Sequence, residues 1–196
     1  MEYIGDDRML SKLSNLVLGL IWKRPLNPYE ITKLLEQSVV QDWFPMTVQS
    51  IYTTIKNLSK NGYLTGEIIQ EGNLPPKTIY ELTEKGREAL IDSLKIGLES
   101  YQAQASDFGI SLFHICSIEK KDALELLVKR MEKINELKLK AEERLNCSID
   151  KAPFNFITML KYNVYRLSTE LKITQELMEV IENEIRWDAS FVNFLK

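Results

Sequence analysis

Apolar residues recur along the chain at two spacings, which divide it into segments. In 10–22, Leu13, Leu16, Val17, Leu20 and Ile21 fall at helical intervals. Pro25 disfavours a helical residue before it and sets the end near Lys23-Arg24. A second helix opens at Asn27-Pro28-Tyr29-Glu30, where Asn suits the cap, Pro the first position, and Glu the reach back to the cap amide. It carries Ile31, Leu34 and Leu35 inward and stops before Val39. Thr47 caps a third helix that runs to Asn61-Gly62, with Val48, Ile51, Ile55 and Leu58 on one stripe. From 63 to 82 the period shortens. Segments 63–70 and 77–82, rich in Ile, Tyr and Thr, flank Glu71-Gly72-Asn73-Leu74-Pro75-Pro76 and predict a two-stranded hairpin with a long loop. Thr83 then caps a fourth helix through Leu90, Leu94 and Leu98. The order of three helices and a hairpin predicts a winged helix-turn-helix, whose third helix would enter a DNA major groove.

Beyond a small polar stretch, 101–106, the pattern becomes long-period. Ser117 is placed to cap a helix from Ile118 to about Leu145, with Leu124, Leu127, Met131, Ile134 and Ala141 on one side. After Pro153, residues Ile157, Leu160, Val164, Leu167, Leu171, Thr174, Met178, Ile181 and Ile185 alternate steps of three and four. That is a heptad seam, and at 1.5 Å per residue its helix would reach about 45 Å. The two long helices are expected to form an antiparallel hairpin, with part of the seam left for a second copy. The expected fold is thus mainly α: a winged helix-turn-helix over 1–105 and a helical dimerisation domain over 106–196.

Composition narrows the function. The chain has 196 residues, 25 Lys and Arg against 28 Asp and Glu, and a net charge of −3. That balance does not suit a protein that coats nucleic acid, so DNA affinity would have to come from few contacts or from two copies. No apolar run approaches the length of a membrane helix, and the first residues do not form a secretory signal. Two cysteines, Cys116 and Cys147, give no disulfide framework and favour a cytoplasmic setting, with buried, inert thiols the default. One histidine, His114, leaves no metal-ligand cluster and no relay; it is read as a core or interface residue. With no glycine-rich phosphate loop and no GxSxG, neither a catalytic site nor a cofactor is expected.

The candidate chemistry lies on the third helix. Opposite its apolar stripe stand Gln49, Ser50, Thr53, Lys56, Asn57 and Lys60, and no acid occurs between Trp43 and Gly66. The ordinary reading is a solvated face; the helix-helix-hairpin context favours DNA. Gln49, Asn57 and Lys56 can reach base edges, while Ser50, Tyr52 and Thr53 suit phosphates, and Thr47 completes the DNA-binding candidates of this helix. Tyr52 could equally be half core. Lys77 and Thr78 would serve the wing, against the alternative of a solvated loop. Tyr29, at the start of helix two, can donate to a phosphate beside the helix dipole.

Several motifs resemble the PadR family of bacterial transcriptional regulators: Leu18-Gly19-Leu20, Tyr29-Glu30-Ile31, Ser50-Ile51-Tyr52, Asn61-Gly62-Tyr63-Leu64 and Tyr80-Glu81-Leu82-Thr83-Glu84-Lys85-Gly86. The resemblance covers about 10–98, and the helical extension is similar to the longer, AphA-like subgroup. It implies a homodimeric DNA-binding regulator, with repression the expected sign, joined through the C-terminal helices. It also implies a small aromatic effector, for which Trp22, Trp43 and Trp187 are candidate wall residues, although aromatics at helical spacing are more often core. Pro28 stands where the family usually has Gly, Thr53 where Pro commonly follows Ser-Ile-Tyr, and the wing carries one Lys where arginines are typical. The dimer seam expected from the pattern is Ile157, Leu160, Val164, Leu167, Leu171, Met178, Ile181 and Ile185. Two rival readings are a winged-helix adaptor that binds protein instead of DNA, and a helical effector sensor.

Overall fold

The computed structural model describes residues 9–42, 44–70, 72, 75–99 and 106–187. Trp43, the wing-tip residues Glu71, Asn73 and Leu74, and the stretch 101–105 lie outside the described residues. By internal packing the chain divides into two units, Met1–Ala103 and Gln104–Lys196.

The first unit runs α1 (Lys12–Ile21), α2 (Pro28–Gln37), a 3-10 turn (Val39–Asp42), α3 (Val48–Lys60), β1 (Leu64–Ile69), β2 (Lys77–Leu82) and α4 (Glu84–Glu99). Local chemistry sets the helix starts. In α2, Asn27 Oδ1 accepts from the Glu30 amide while Glu30 accepts from the Asn27 amide, a full capping box with Pro28 in the first turn. In α3, Thr47 and Ser50 make the same reciprocal exchange, a hydroxyl standing in for the usual carboxylate. Helix α3 ends as the sequence suggests: Gly62 takes φ 76° and Lys85 Nζ donates to the Asn61 carbonyl at 2.8 Å.

One core joins these elements. Val17, Leu18 and Ile21 of α1 meet Ile31 and Leu35 of α2, Ile51, Ile55 and Leu58 of α3, and Leu26, Leu64, Leu82 and Leu90. The expected inward stripes are trimmed at their edges. Leu18 is fully buried while Leu13, Leu16 and Leu20 pack only in part. Leu34, Val48, Leu94 and Leu98 are exposed, because each sits at the rim or end of its helix, past the reach of the core.

The hairpin is antiparallel, with Leu64 opposite Leu82 and Ile69 opposite Lys77. A lone two-stranded hairpin is marginal in water. Here Leu26 exchanges both backbone hydrogen bonds with Tyr80, at 3.1 and 2.9 Å, and so fastens the α1–α2 connection to the free side of β2.

The second unit contains α5 (Asp107–Phe113), a 3-10 turn (Ile115–Ser117), α6 (Lys120–Ser148) and α7 (Phe154–Asn183). Neither α5 nor the 3-10 turn is expected from periodicity; each is too short to repeat a pattern. Ser117 therefore belongs to the turn rather than to the cap, and Glu119 occupies the cap of α6 without a side-chain bond. Helices α6 and α7 form the expected hairpin. Its core is Ile134, Ala141, Val164 and Leu167, with Leu137, Leu145 and Leu171 packed at the margin.

A polar layer crosses the hairpin. Arg130 pairs with Glu170, donates from Nε to Thr174 Oγ1 at 3.3 Å, and lies 3.6 Å over the Phe108 ring of α5. At the far end Lys120 Nζ donates to the Glu182 and Glu184 carbonyls, and Trp187 Nε1 to the Ile118 carbonyl at 2.8 Å. Cys116 and Cys147 are both exposed, against the buried default, since each lies at an end of the hairpin where packing runs out. His114 is exposed as well, edge-on to Phe113.

Candidate nucleic-acid interface

Helix α3 divides into two faces. Ile51, Ile55 and Leu58 are buried, and Gln49, Tyr52, Thr53, Lys56, Asn57 and Lys60 are exposed. These six line an open cavity of about 760 Å³ together with Pro28, Ile55 and Tyr80. The groove is therefore walled by α3, by the start of α2 and by β2. Its side chains offer amides, hydroxyls and two ammonium groups, and no carboxylate lines it. No acid stands in the first turn of α3, so the positive end of that helix is not offset locally.

The other candidates fall around the groove rather than in it. Thr47 and Ser50 cap α3; Ser50 Oγ donates to the Thr47 carbonyl at 2.7 Å, so its proton is already engaged. Thr47 Oγ1 accepts from the Ser50 amide at 3.1 Å, which leaves its own O–H free to donate. Tyr29 projects from the first turn of α2, 68% exposed. Tyr52 is 44% exposed, so its ring shares surface with the core edge while its side reaches the groove. Lys77 and Thr78 are half-buried on β2. Pro28, Ile55 and Tyr80 line the groove without being among the expected DNA-facing residues. Tyr80 reaches the groove only through strand register, which no local spacing reports.

The expected dimer seam has a definite place. Leu160, Val164, Leu167 and Ile181 are buried within one chain, and Ile157, Leu171 and Met178 are half-buried. The hairpin with α6 covers most of the stripe. Helix α7 ends at Asn183, and Ile185, beyond it, is 94% exposed. A second stripe stands open on another side of α7: Phe154, Tyr162, Tyr165, Ile173 and Val180.

The tryptophans separate in the same way. Trp22 lies under Arg87, 5.2 Å from the guanidinium carbon to the ring centre. Trp187 helps line a cavity of about 640 Å³ with Cys116, Ser117, Ile118, Glu119, Asp122 and Ile185. Among the described residues, no helix is long and apolar enough to cross a membrane, and no group of three His, Cys, Asp or Glu could hold a metal ion.

Comparison with known proteins agrees with this architecture. Residues 17–92 match the profile of the Transcriptional regulator PadR-like family. A curated relative, the negative transcriptional regulator PadR of Bacillus subtilis (strain 168), is 27% identical over 147 residues, spanning 73% of this chain and 80% of that protein. The crystal structure of Bacillus subtilis PadR in complex with operator DNA aligns with TM-score 0.72 at 20% identity, covering 88% of this chain and 98% of that one. The structure of smu.1604c from Streptococcus mutans UA159 aligns with TM-score 0.64 at 25% identity, over 85% and 98%. Bacillus subtilis PadR in complex with p-coumaric acid gives 0.67 at 19% identity, over 87% and 99%. At 19 and 20% identity the likeness is one of fold.

Proposed function

We propose that the chain, whose residues 17–92 match the PadR-like family of transcriptional regulators, binds double-stranded operator DNA as a homodimer and represses the genes it controls. The carrying observation is the α3 groove, in which Gln49, Tyr52, Thr53, Lys56, Asn57 and Lys60 share one carboxylate-free concavity. In this reading α3 enters the major groove. Gln49 and Asn57 meet base edges, Lys56 and Lys60 meet guanine acceptors or phosphates, and Thr47, Ser50, Tyr52 and Thr53 seat the helix on the backbone. Lys77 and Thr78 follow the duplex from the wing, and Tyr29 meets a phosphate from the start of α2.

Two lysines in the groove and a net charge of −3 make a single copy a weak binder. Two copies on a roughly palindromic site, one helical turn of about 34 Å apart, supply the affinity. We place the dimer contact on the second unit, as in the longer, AphA-like subgroup. Since the heptad seam is largely spent inside one chain, the open α7 stripe of Phe154, Tyr162, Tyr165, Ile173 and Val180 is the stronger candidate, with Ile157, Leu171 and Met178 retaining some surface. Such a regulator works beside the genome, in the cytoplasm, and performs no catalysis. The complex of Bacillus subtilis PadR with p-coumaric acid supports a planar aromatic effector here too; quenching of tryptophan fluorescence by planar aromatics tests that part.

The central test is a gel shift with the region upstream of the gene itself, run over a salt series. The expected result is retardation at low salt, with affinity falling log-linearly as salt rises. No retardation at any salt, together with capture of a partner protein through α3, would favour the adaptor reading instead.

A further inference from the structure

Tyr80 faces the groove, yet nothing in the α3 pattern assigns it a role. Its main chain is fully used: its amide donates to the Leu26 carbonyl at 2.9 Å and its carbonyl accepts from the Leu26 amide at 3.1 Å. Both groups point away from β1, so Tyr80 and its cross-strand partner Gly66 form a non-hydrogen-bonded pair. In such pairs the strands approach most closely, with Cα atoms about 4.5 Å apart. The ring lies across the space a side chain at 66 would fill. A Cβ there would come 3.0 Å from Tyr80 Cε1, 3.3 Å from Cδ1 and 2.9 Å from Thr78 Cγ2. Glycine at 66 is therefore what lets the ring rest on β1.

Tyr80 packs against the core of the first unit and also lines the groove together with Tyr52, Thr53 and Lys56. Among the described residues, the Tyr80 hydroxyl makes no hydrogen bond and is not a buried orphan. A side chain anchored on the core and on β1, with an O–H donor unengaged among the described residues and at the edge of a groove that carries ammonium groups and no carboxylate, is suited to a phosphate oxygen.

We propose that Tyr80 is a DNA-backbone contact, its hydroxyl donating to a phosphate of the strand that passes between α3 and the wing, and that Gly66 is the positioning residue that holds the ring there. This rests on the DNA-binding reading above and extends it to β2. A neutral donor releases no counterion, so its loss lowers affinity for every sequence without changing the salt slope.

The test compares full-length wild type, Tyr80→Phe, Gly66→Ala and the double variant on two duplexes, the upstream region and an unrelated sequence, over a salt series. Tyr80→Phe is expected to weaken binding about three- to tenfold on both duplexes with an unchanged slope. Gly66→Ala should lose a similar factor by displacing the ring, and the double variant should be no weaker than the worse single one. Wild-type affinity for Tyr80→Phe overturns the proposal, as does a double variant whose loss is the product of the two single losses. If thermal melting shows that Gly66→Ala opens the hairpin, Tyr80→Phe alone decides. Wild type that binds neither duplex at low salt overturns the DNA reading itself, and the proposal with it.

Discussion

At the scale of single residues, charge and hydrogen-bonding roles on the DNA face separate by experiment. Lys56 lies in the α3 groove and Lys77 on the wing strand. Each lysine on a phosphate contributes about 0.9 to the slope of log affinity against log salt. Lys56→Ala with Lys77→Ala should therefore weaken binding to all DNA and flatten that slope by about 2; filter binding between low and physiological salt measures it. Thr47 acts differently, since its hydroxyl satisfies the Ser50 amide at the head of α3. Thr47→Ala should lower stability by about 1 kcal/mol, read by chemical denaturation. Most of this face was legible in the sequence, because the polar positions of α3 follow from its helical period once Thr47 and Asn61-Gly62 set its ends. Tyr80 was not legible, because its neighbours in space come from β1 and from Leu26, far along the chain.

Among elements, the α6–α7 hairpin shows what periodicity reports and what it omits. The seam predicted two long helices correctly, but a repeat of apolar positions does not say whose helix covers it. Here α6 supplies the cover, through Ile134 and Ala141 against Val164 and Leu167. The short α5 escaped for want of length; its Phe108 meets Arg130 across a cation–π contact that no spacing encodes. On the exposed side of α6, Glu136 sits between Lys140 and Lys133, one turn on either side. Hydrogen bonds from Lys140 and then Lys133, followed by their charges, hold its carboxyl below the usual carboxylate value. A depressed value in the folded state means a contribution present at neutral pH and lost as pH falls through the folded value. Glu136→Gln should thus melt slightly below wild type at pH 7, and the gap should close in acid. Melting curves from pH 7 to pH 2 provide the check.

For the whole molecule, the proposed homodimer makes a directional prediction. Tyr165 is on the open stripe of α7, whereas Leu167, two residues on, is buried against α6. Tyr165→Glu should leave the melting of a dilute monomer intact, shift sedimentation from dimer to monomer, and weaken operator binding. Leu167→Ala should instead cost about 2–5 kcal/mol of folding stability. Sedimentation velocity with parallel denaturation separates the two outcomes.

The fastening at one end of that hairpin also gives its opening a direction. Lys120 and Trp187 tie the start of α6 to the end of α7, and Lys120 holds carbonyls that the terminus of α7 would otherwise leave to water. The opposite end, where Ser148 leads through the 149–153 connection to Pro153, has no side-chain cap on α7. The hairpin should therefore unzip from the connection inward. Deuterium should enter amides near 145–158 first and those near 124–131, past the unbonded first turn of α6, last, and a protease should nick the chain at the loop while the laced end still holds.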